Sequence, residues 1–327
     1  MNCVPPAISG DFSVADIVRE AAARSIADSY VVLPDVQADS QSMTGTIMVE
    51  EVQPGLIISA HDLTYTADGA FHVEMRPSVS CAVLLEGESQ RMEIAGHPPI
   101  IAEPKGVAVI GHGETLQGSR PWRSGQRSRA FGVTLKPSFF DRFGTSIQGD
   151  GLAVLRRFLE PGFHHHSLPW SPTITDLAER TLAEPYGGAL RTLHRESQAL
   201  RFTAEIAAML NTEQEQVRII GRRHYDRACE ARAIVEGSLT DPPKVLDLAR
   251  RLGVNVTTLQ ANFKAVFGTT IFGYIRTKRL EMARILIVEH GLRVAEAGFR
   301  VGFTNAAAFT AAYRRHFGHP PTADRSV

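Results

Sequence analysis

The sequence has no long apolar run. Ala82-Val83-Leu84-Leu85 is typical of its longest, and a membrane span needs about 18–20 such residues. No membrane partner is expected. Cysteine is scarce. Cys3, Cys81 and Cys229 are odd in number and far apart, which fits neither a disulfide framework nor a zinc cluster and points to a reducing cytoplasm. No cationic segment followed by an apolar stretch opens the chain, and Asp11 and Asp16 come early, against a secretory signal. Nothing reads as a P-loop, a nucleophile elbow or a Rossmann turn. Hydrophobic residues at 43% and charged residues at 21% exclude disorder over most of the length. A chain of 327 residues is long enough for two or three domains.

Net charge is also lacking, but only on average. Residues 222–327 hold 17 Lys and Arg against 9 Asp and Glu, a net of +8. Residues 1–221 hold 18 against 26, a net of −8. This split points to a nucleic-acid partner for the basic part alone.

From Thr44 to Lys136, short β-branched runs are cut by Gly and Pro: Ile47–Val52, Leu56–Leu63, Phe71–Met75, Val79–Leu85, Met92–Ile94, Val107–Ile110 and Ala130–Leu135. Turn signals at intervals of about 8–12 residues predict an antiparallel sandwich or barrel. Asp16–Ala23 predicts a short helix before it. From Pro137 the pattern is helical, interrupted by a loop over Pro161–Pro172 that carries His164, His165 and His166. A long helix from Gly188 to about Met209 carries an apolar stripe of Leu190, Leu193, Leu200, Ala204 and Ala207, widened by Phe202, Ile206 and Met209. So wide a stripe is expected to dock on the β-domain, and leaves open a second face toward another copy of the chain.

The most informative feature is a repeat. Leu259, Phe263, Phe267 and Gly268 recur as Phe309, Tyr313, Phe317 and Gly318. Spacing of four places three large apolar groups on one helical face, and Gly stops each helix in a left-handed conformation. A short helix and a Gly turn precede each copy: Gly253-Val254-Asn255 and Gly302-Phe303-Thr304. Asn255 and Thr304 are the expected caps. Short helix, tight turn and capped second helix is the helix-turn-helix plan, whose second helix fits the major groove.

Residues of about 222–323 resemble the DNA-binding region of the AraC/XylS family of transcription regulators. Tyr274–Leu286 is similar to the helix that joins the family's two units. Ala297-Gly-Phe-Arg-Val-Gly-Phe303, Phe309, Tyr313, Phe317-Gly318 and Pro320-Pro321 are similar to its C-terminal signature. Asp324-Arg325 departs from the usual Tyr-Arg pair. The resemblance implies two units tied by one helix, entering successive major grooves of double-stranded promoter DNA.

With Leu259 and Phe263 inward, Thr257, Thr258, Gln260, Ala261 and Lys264 are the expected DNA contacts of the first unit. Gln260 suits adenine, and Lys264 suits guanine or phosphate. An Arg is frequent in the family at the place of Ala261. In the second unit the set is Ala307, Thr310, Ala311, Arg314 and Arg315, with Ala306 beside them. Alanines touch thymine methyls but donate no hydrogen bond. The first unit is therefore expected to read sequence and the second mainly to position the chain.

The β-rich segment resembles the cupin-type effector domain common in AraC relatives. Metal-dependent cupin chemistry needs clustered histidines and a carboxylate. His61, His72, His97 and His112 are scattered instead, so neither catalysis nor a bound metal is expected. The conspicuous cluster is Arg120-Pro-Trp122-Arg123-Ser-Gly-Gln-Arg127-Ser-Arg129. Arginine forks pair with phosphate or with guanine, and Trp122 is a candidate to stack on a base or sugar. Arg123 and Arg127 resemble half of the Arg-x-x-x-Arg cyclic di-GMP signature of PilZ domains. The other half is absent, and the strand Ser59-Ala-His-Asp62 is a candidate substitute. A basic hairpin paired with acidic residues is the competing account.

The resulting fold is α+β. Residues 1–136 form a cupin-like barrel or sandwich that senses an effector. Residues 137–221 form helices that relay and dimerise, and residues 222–327 form an all-α domain with two helix-turn-helix units. The expected function is an effector-controlled transcription regulator, an activator working with RNA polymerase as a homodimer. Cyclic di-GMP is the favoured effector, and no other cofactor is expected. A sugar or siderophore in the barrel is the alternative. A cupin enzyme with a DNA-binding tail and an effector-free architectural DNA binder complete the set.

Overall fold

A computed structural model describes residues 7–23, 30–32, 41–104, 106–144, 151–288 and 290–324. Cys3 and Arg325 lie outside these residues. The chain divides into two compact units, Met1–Thr212 and Glu213–Val327.

The first unit is built on two antiparallel sheets. Its strands are β1 (Ala7–Phe12), β2 (Tyr30–Val32), β3 (Met43–Gln53), β4 (Leu56–Tyr65), β5 (Gly69–Met75), β6 (Ser78–Gly87), β7 (Gln90–Ile94), β8 (Ile100–Ala102), β9 (Val107–His112), β10 (Leu116–Trp122), β11 (Arg127–Leu135) and β12 (Phe163–Leu168). One sheet runs β1-β3-β4-β11-β6-β9-β12, the other β2-β5-β10-β7-β8. Every run expected to be a strand lies in one. The shorter β1, β2 and β8, and the strands β10 and β12, carry too weak an alternation to be read from sequence.

Alternation decides what each strand buries. Leu56, Ile58 and Ala60 of β4, Val79, Cys81 and Val83 of β6, and Phe131, Val133 and Leu135 of β11 share one apolar core. The helices α2 (Pro137–Asp141), α3 (Gly151–Arg157), α4 (Pro172–Ala183) and α5 (Gly188–Ile220) complete it. Burying each of the Leu, Ile, Val and Phe side chains among them stabilises the unit by about 1.5–3 kcal/mol. The other face of the same strands looks toward the second sheet.

Two local expectations are corrected. His164, His165 and His166 are in a strand, β12, paired with Gly111, Ile110 and Val109 of β9. A pairing edge on β9 overrides the loop composition. Among the described residues no group of three or more His, Cys, Asp or Glu stands ready to hold a metal ion. On α5 the docked face is Ala199, Phe202, Ile206, Ala207 and Leu210, whereas Leu190 and Leu193 are 62% and 61% exposed and Ala204 is exposed. Both faces are apolar, so periodicity alone does not choose between them. No described helix is long and apolar enough to cross a membrane.

The second unit is helical: α6 (Arg222–Glu236), α7 (Val245–Arg251), α8 (Val256–Phe267), α9 (Ile271–Val288), α10 (Val294–Arg300) and α11 (Ala306–Phe317). It has two main cores. Ile271 and Ile275 of α9 pack with Leu248, Ala249, Leu259 and Phe263. Leu280, Ala283 and Ile287, later on the same helix, pack with Ala297, Val301, Phe309 and Tyr313. One helix thus serves two helix-turn-helix units.

Candidate nucleic-acid interface

Each repeat closes in the same way. Gly253 and Gly302 take left-handed backbone, φ +64° and +89°. After each, the amide of Val254 or Phe303 reaches back to the carbonyl of Ala249 or Gly298, at 3.0 and 2.9 Å. The Asn255 side chain accepts from the Thr258 amide at 2.7 Å. In the second unit the cap is Asn305, not Thr304. Its Oδ1 accepts from Ala307 and Ala308 amides at 2.8 and 3.2 Å. The reason is spacing: α10 begins 49 residues after α7, but α11 begins 50 after α8. The second turn is one residue longer, and the cap moves with it.

These caps and cores fix which face of α8 and α11 is outward. Thr257, Gln260, Ala261 and Lys264 are exposed together on α8. Thr258 is half-buried and its amide is taken by the cap. On α11, Ala307, Ala311, Arg314 and Arg315 are exposed. They line a shallow groove with Ala306 and Thr310. Thr310 is half-buried and donates its hydroxyl to the Ala306 carbonyl at 2.9 Å. Among the described residues, Lys264, Arg314 and Arg315 have no carboxylate partner, so their charge is free for an external anion.

Arg279 on α9 is a residue that sequence reasoning missed. Its guanidinium donates to the carbonyls of Leu239, Gly302 and Thr240 at 2.7, 2.9 and 3.0 Å. It therefore ties the turn of the second unit to the segment leading into the first. A cation in the middle of the joining helix was the only signal.

The arginine-rich segment of the first unit is not a single patch. Arg120 and Trp122 end β10 in one sheet, whereas Arg127 and Arg129 begin β11 in the other. Trp122 is 5% exposed, stacks on Tyr65 with centroids 5.0 Å apart, and donates its indole N–H to the Ala67 carbonyl at 3.0 Å. It is a core residue and has no face left for a base. Arg129 pairs with Glu179, Glu86 and Asp62, the first at 2.5 Å, and its pKa is raised chiefly by Glu179. Arg127 approaches Asp62 and Glu86 at 3.5 and 3.7 Å. Within the strand Ser59–Asp62, Asp62 neutralises these arginines from β4. Arg123 is exposed at the crossing between sheets.

Arg120 faces the other way, between the sheets. Its Nη2 donates to Tyr65 Oη at 3.2 Å and Ser128 Oγ at 3.4 Å. Ser128 Oγ also meets His61 Nε2 at 2.6 Å and the Gln90 amide. Burial, and then the Arg120 charge, push the His61 pKa down to about 3, so its ring is neutral.

Residues 44–221, more than half of the chain, match the family model described as the regulatory protein PchR N-terminal domain. Residues 248–326 match the helix-turn-helix domain model. The chain belongs to the AraC family, with an N-terminal domain of the PchR type. This AraC-family member is 33% identical to the regulatory protein PchR of Pseudomonas aeruginosa over 109 residues, which is 33% of this chain and 37% of that protein. It is 27% identical to the HTH-type transcriptional regulator ExsA of the same organism over 109 residues, 33% of this chain and 38% of ExsA. It is 26% identical to the virulence regulon transcriptional activator VirF of Yersinia enterocolitica over 126 residues, 38% of this chain and 44% of VirF. The alignments thus span less than half the length of these curated relatives. Among solved structures, it is similar to a transcriptional regulator with an AraC-type DNA-binding domain from Chromobacterium violaceum. The identity is 29%, covering 31% of this chain and 89% of that one, with a TM-score of 0.30.

Proposed function

We propose that this AraC-family chain is a transcription regulator that binds double-stranded promoter DNA in a sequence-specific way under control of a small-molecule effector. The observation that carries this reading is the duplicated, capped helix-turn-helix on one shared helix, with Gln260, Lys264, Arg314 and Arg315 exposed and, among the described residues, without a carboxylate partner. Gln260 pairs bidentately with adenine, Lys264 with guanine or phosphate, and the two arginines with the backbone. The regulator acts in the cytoplasm, where the DNA is. It works as an activator through RNA polymerase, by analogy with the virulence regulon transcriptional activator VirF. It is a homodimer, for which the open Leu190–Leu193 face of α5 is the supporting feature. Effector binding needs to favour one arrangement by only a few kcal/mol to change occupancy.

The test is a base-substitution scan of a bound operator, expected to give larger losses under the first unit than under the second. The reverse order contradicts the assignment. A second reading, cyclic di-GMP as the effector, is supported by Arg123 and Arg127 standing exposed on either side of the turn at 124–125. Calorimetry with cyclic di-GMP, repeated on the Arg123→Ala/Arg127→Ala double variant, tests it. Heat lost in the variant supports this reading, and no heat in the parent chain removes it.

A further inference from the structure

The repeat extends further than the two helix-turn-helix pairs. Each pair also has a leading helix, α6 for the first and the second half of α9 for the second. Ala228, Ala231 and Val235 of α6 are buried at the same spacing as Leu280, Ala283 and Ile287 of α9. Arg232 lies over the Phe267 ring at 5.1 Å, and Arg284 over the Phe317 ring at 5.0 Å. This frame makes Arg227 the counterpart of Arg279. Each stands beside the left-handed glycine of its turn, Gly253 or Gly302.

The two arginines differ in what they hold. Among the described residues Arg227 makes no hydrogen bond or ion pair, so folding one helix-turn-helix unit does not require any at this position. Arg279 engages all three guanidinium nitrogens: Nε with the Leu239 carbonyl, Nη2 with that of Thr240 and Nη1 with that of Gly302. The Leu239 side chain packs into the first helical core, and Phe303, next to Gly302, packs into the second. A Cβ added at Gly302 would stand 2.8 Å from the Thr240 oxygen and from Arg279 Nη2. The turn of the second unit and the lead into the first therefore meet at this guanidinium. Its bonds join the two units rather than complete either one. A shared helix alone bends gently along its length. A brace at its middle, tied to both cores, removes that freedom and holds α8 and α11 at one distance and angle. DNA makes the setting matter, because one added base pair moves the farther of two sites by about 3.4 Å and turns it by about 35°.

We propose that Arg279 is a positioning residue that sets the spacing between α8 and α11, and thereby the spacing between operator halves that the chain accepts. This deepens the reading of α8 and α11 as the DNA-contacting helices and rests on it.

The test pairs two measurements on the full chain. In the first, spin labels on Ala261→Cys and Ala311→Cys, both at exposed positions, report the distance between α8 and α11 by pulsed electron resonance. Cys3→Ser and Cys229→Ser keep the labels specific, and the buried Cys81 stays. The chain with Arg279 intact is expected to give one narrow distance, Arg279→Ala a broad distribution, and Arg227→Ala the narrow one again. In the second, hydroxyl-radical footprinting locates the two halves of the bound promoter fragment, and one base pair is inserted between them. The unaltered chain is expected to lose about 30-fold in affinity on insertion and Arg279→Ala only about 3-fold. Arg279→Lys keeps the charge and part of the bonding. Its intermediate width and penalty keep the test decisive should Arg279→Ala not fold. An unchanged distance width in the Arg279 variants, or an insertion penalty as large as that of the unaltered chain, overturns the proposal. An unaltered chain with no preference for the promoter breaks the regulator reading instead, and the distance distribution then decides the role of Arg279 alone.

Discussion

The two helix-turn-helix units have the same fold, built with exchanged volumes. Ala249 in the first is buried in one core with Leu259, whereas the second has Gly298 against Phe309. A Cβ at Gly298 would come within 2.9 Å of the Phe309 ring, so the larger aromatic requires the missing methyl. Outside, the units diverge further. The first displays Thr257, Gln260 and Lys264; the second displays alanines followed by Arg314 and Arg315. Core positions are constrained by packing and repeat, while outward positions are free to differ. That freedom would let one unit read bases and the other hold the backbone, as proposed above.

The sharpest way to break this division of labour is Gln260→Ala. It should weaken operator binding by about 1–3 kcal/mol and relax preference at one base pair. Anisotropy titrations against operators altered at single positions measure both effects. A uniform loss at every position would remove the reading role of α8. The exchanged volumes predict an asymmetry of similar size in stability. Gly298→Ala should destabilise the second unit by about 1–3 kcal/mol through overpacking. Ala249→Gly should cost the first about 1 kcal/mol through helix propensity. Urea unfolding followed by circular dichroism compares them, and equal costs would contradict the exchange.

The caps come next. Asn305→Ala and Asn255→Ala should each cost about 1 kcal/mol of stability, with the larger loss at Asn305, which serves two amides. Thr304→Ala should cost less than either in the same denaturation series. The smallest effect is that of Arg314→Ala. It should weaken binding evenly across operator sequences and reduce the slope of log affinity against log salt by about 1. A sequence-selective loss there would give α11 a reading role.

Much of the second unit was legible in the sequence because its signals are local and doubled. The spacing of Leu259, Phe263 and Phe267, repeated at Phe309, Tyr313 and Phe317, set both the helices and their inner faces. The cap at Asn305 was not, because one extra residue in a turn shifts the register without changing composition. In the first unit the longer strands were legible. The fate of the arginines was not: the chain crosses from one sheet to the other between Trp122 and Arg127, so neighbours in sequence face separate environments. Nothing in a one-dimensional pattern brings Asp62 and Glu179 to Arg129, or turns Arg120 to Tyr65 and Ser128 between the sheets. The same limit hid the choice of face on α5, where Leu190 and Phe202 are equally apolar.

The central claim is that α8 and α11, held on α9, give the chain its preference for a promoter. Its most direct measurement is anisotropy of the full chain on a fragment of its own promoter at moderate salt, with excess bulk genomic DNA as competitor. The account predicts a preference of at least about 10³-fold, lost in large part in a Gln260→Ala/Lys264→Ala variant that still binds non-specific DNA. Equal affinity for promoter and competitor in the unaltered chain would contradict it.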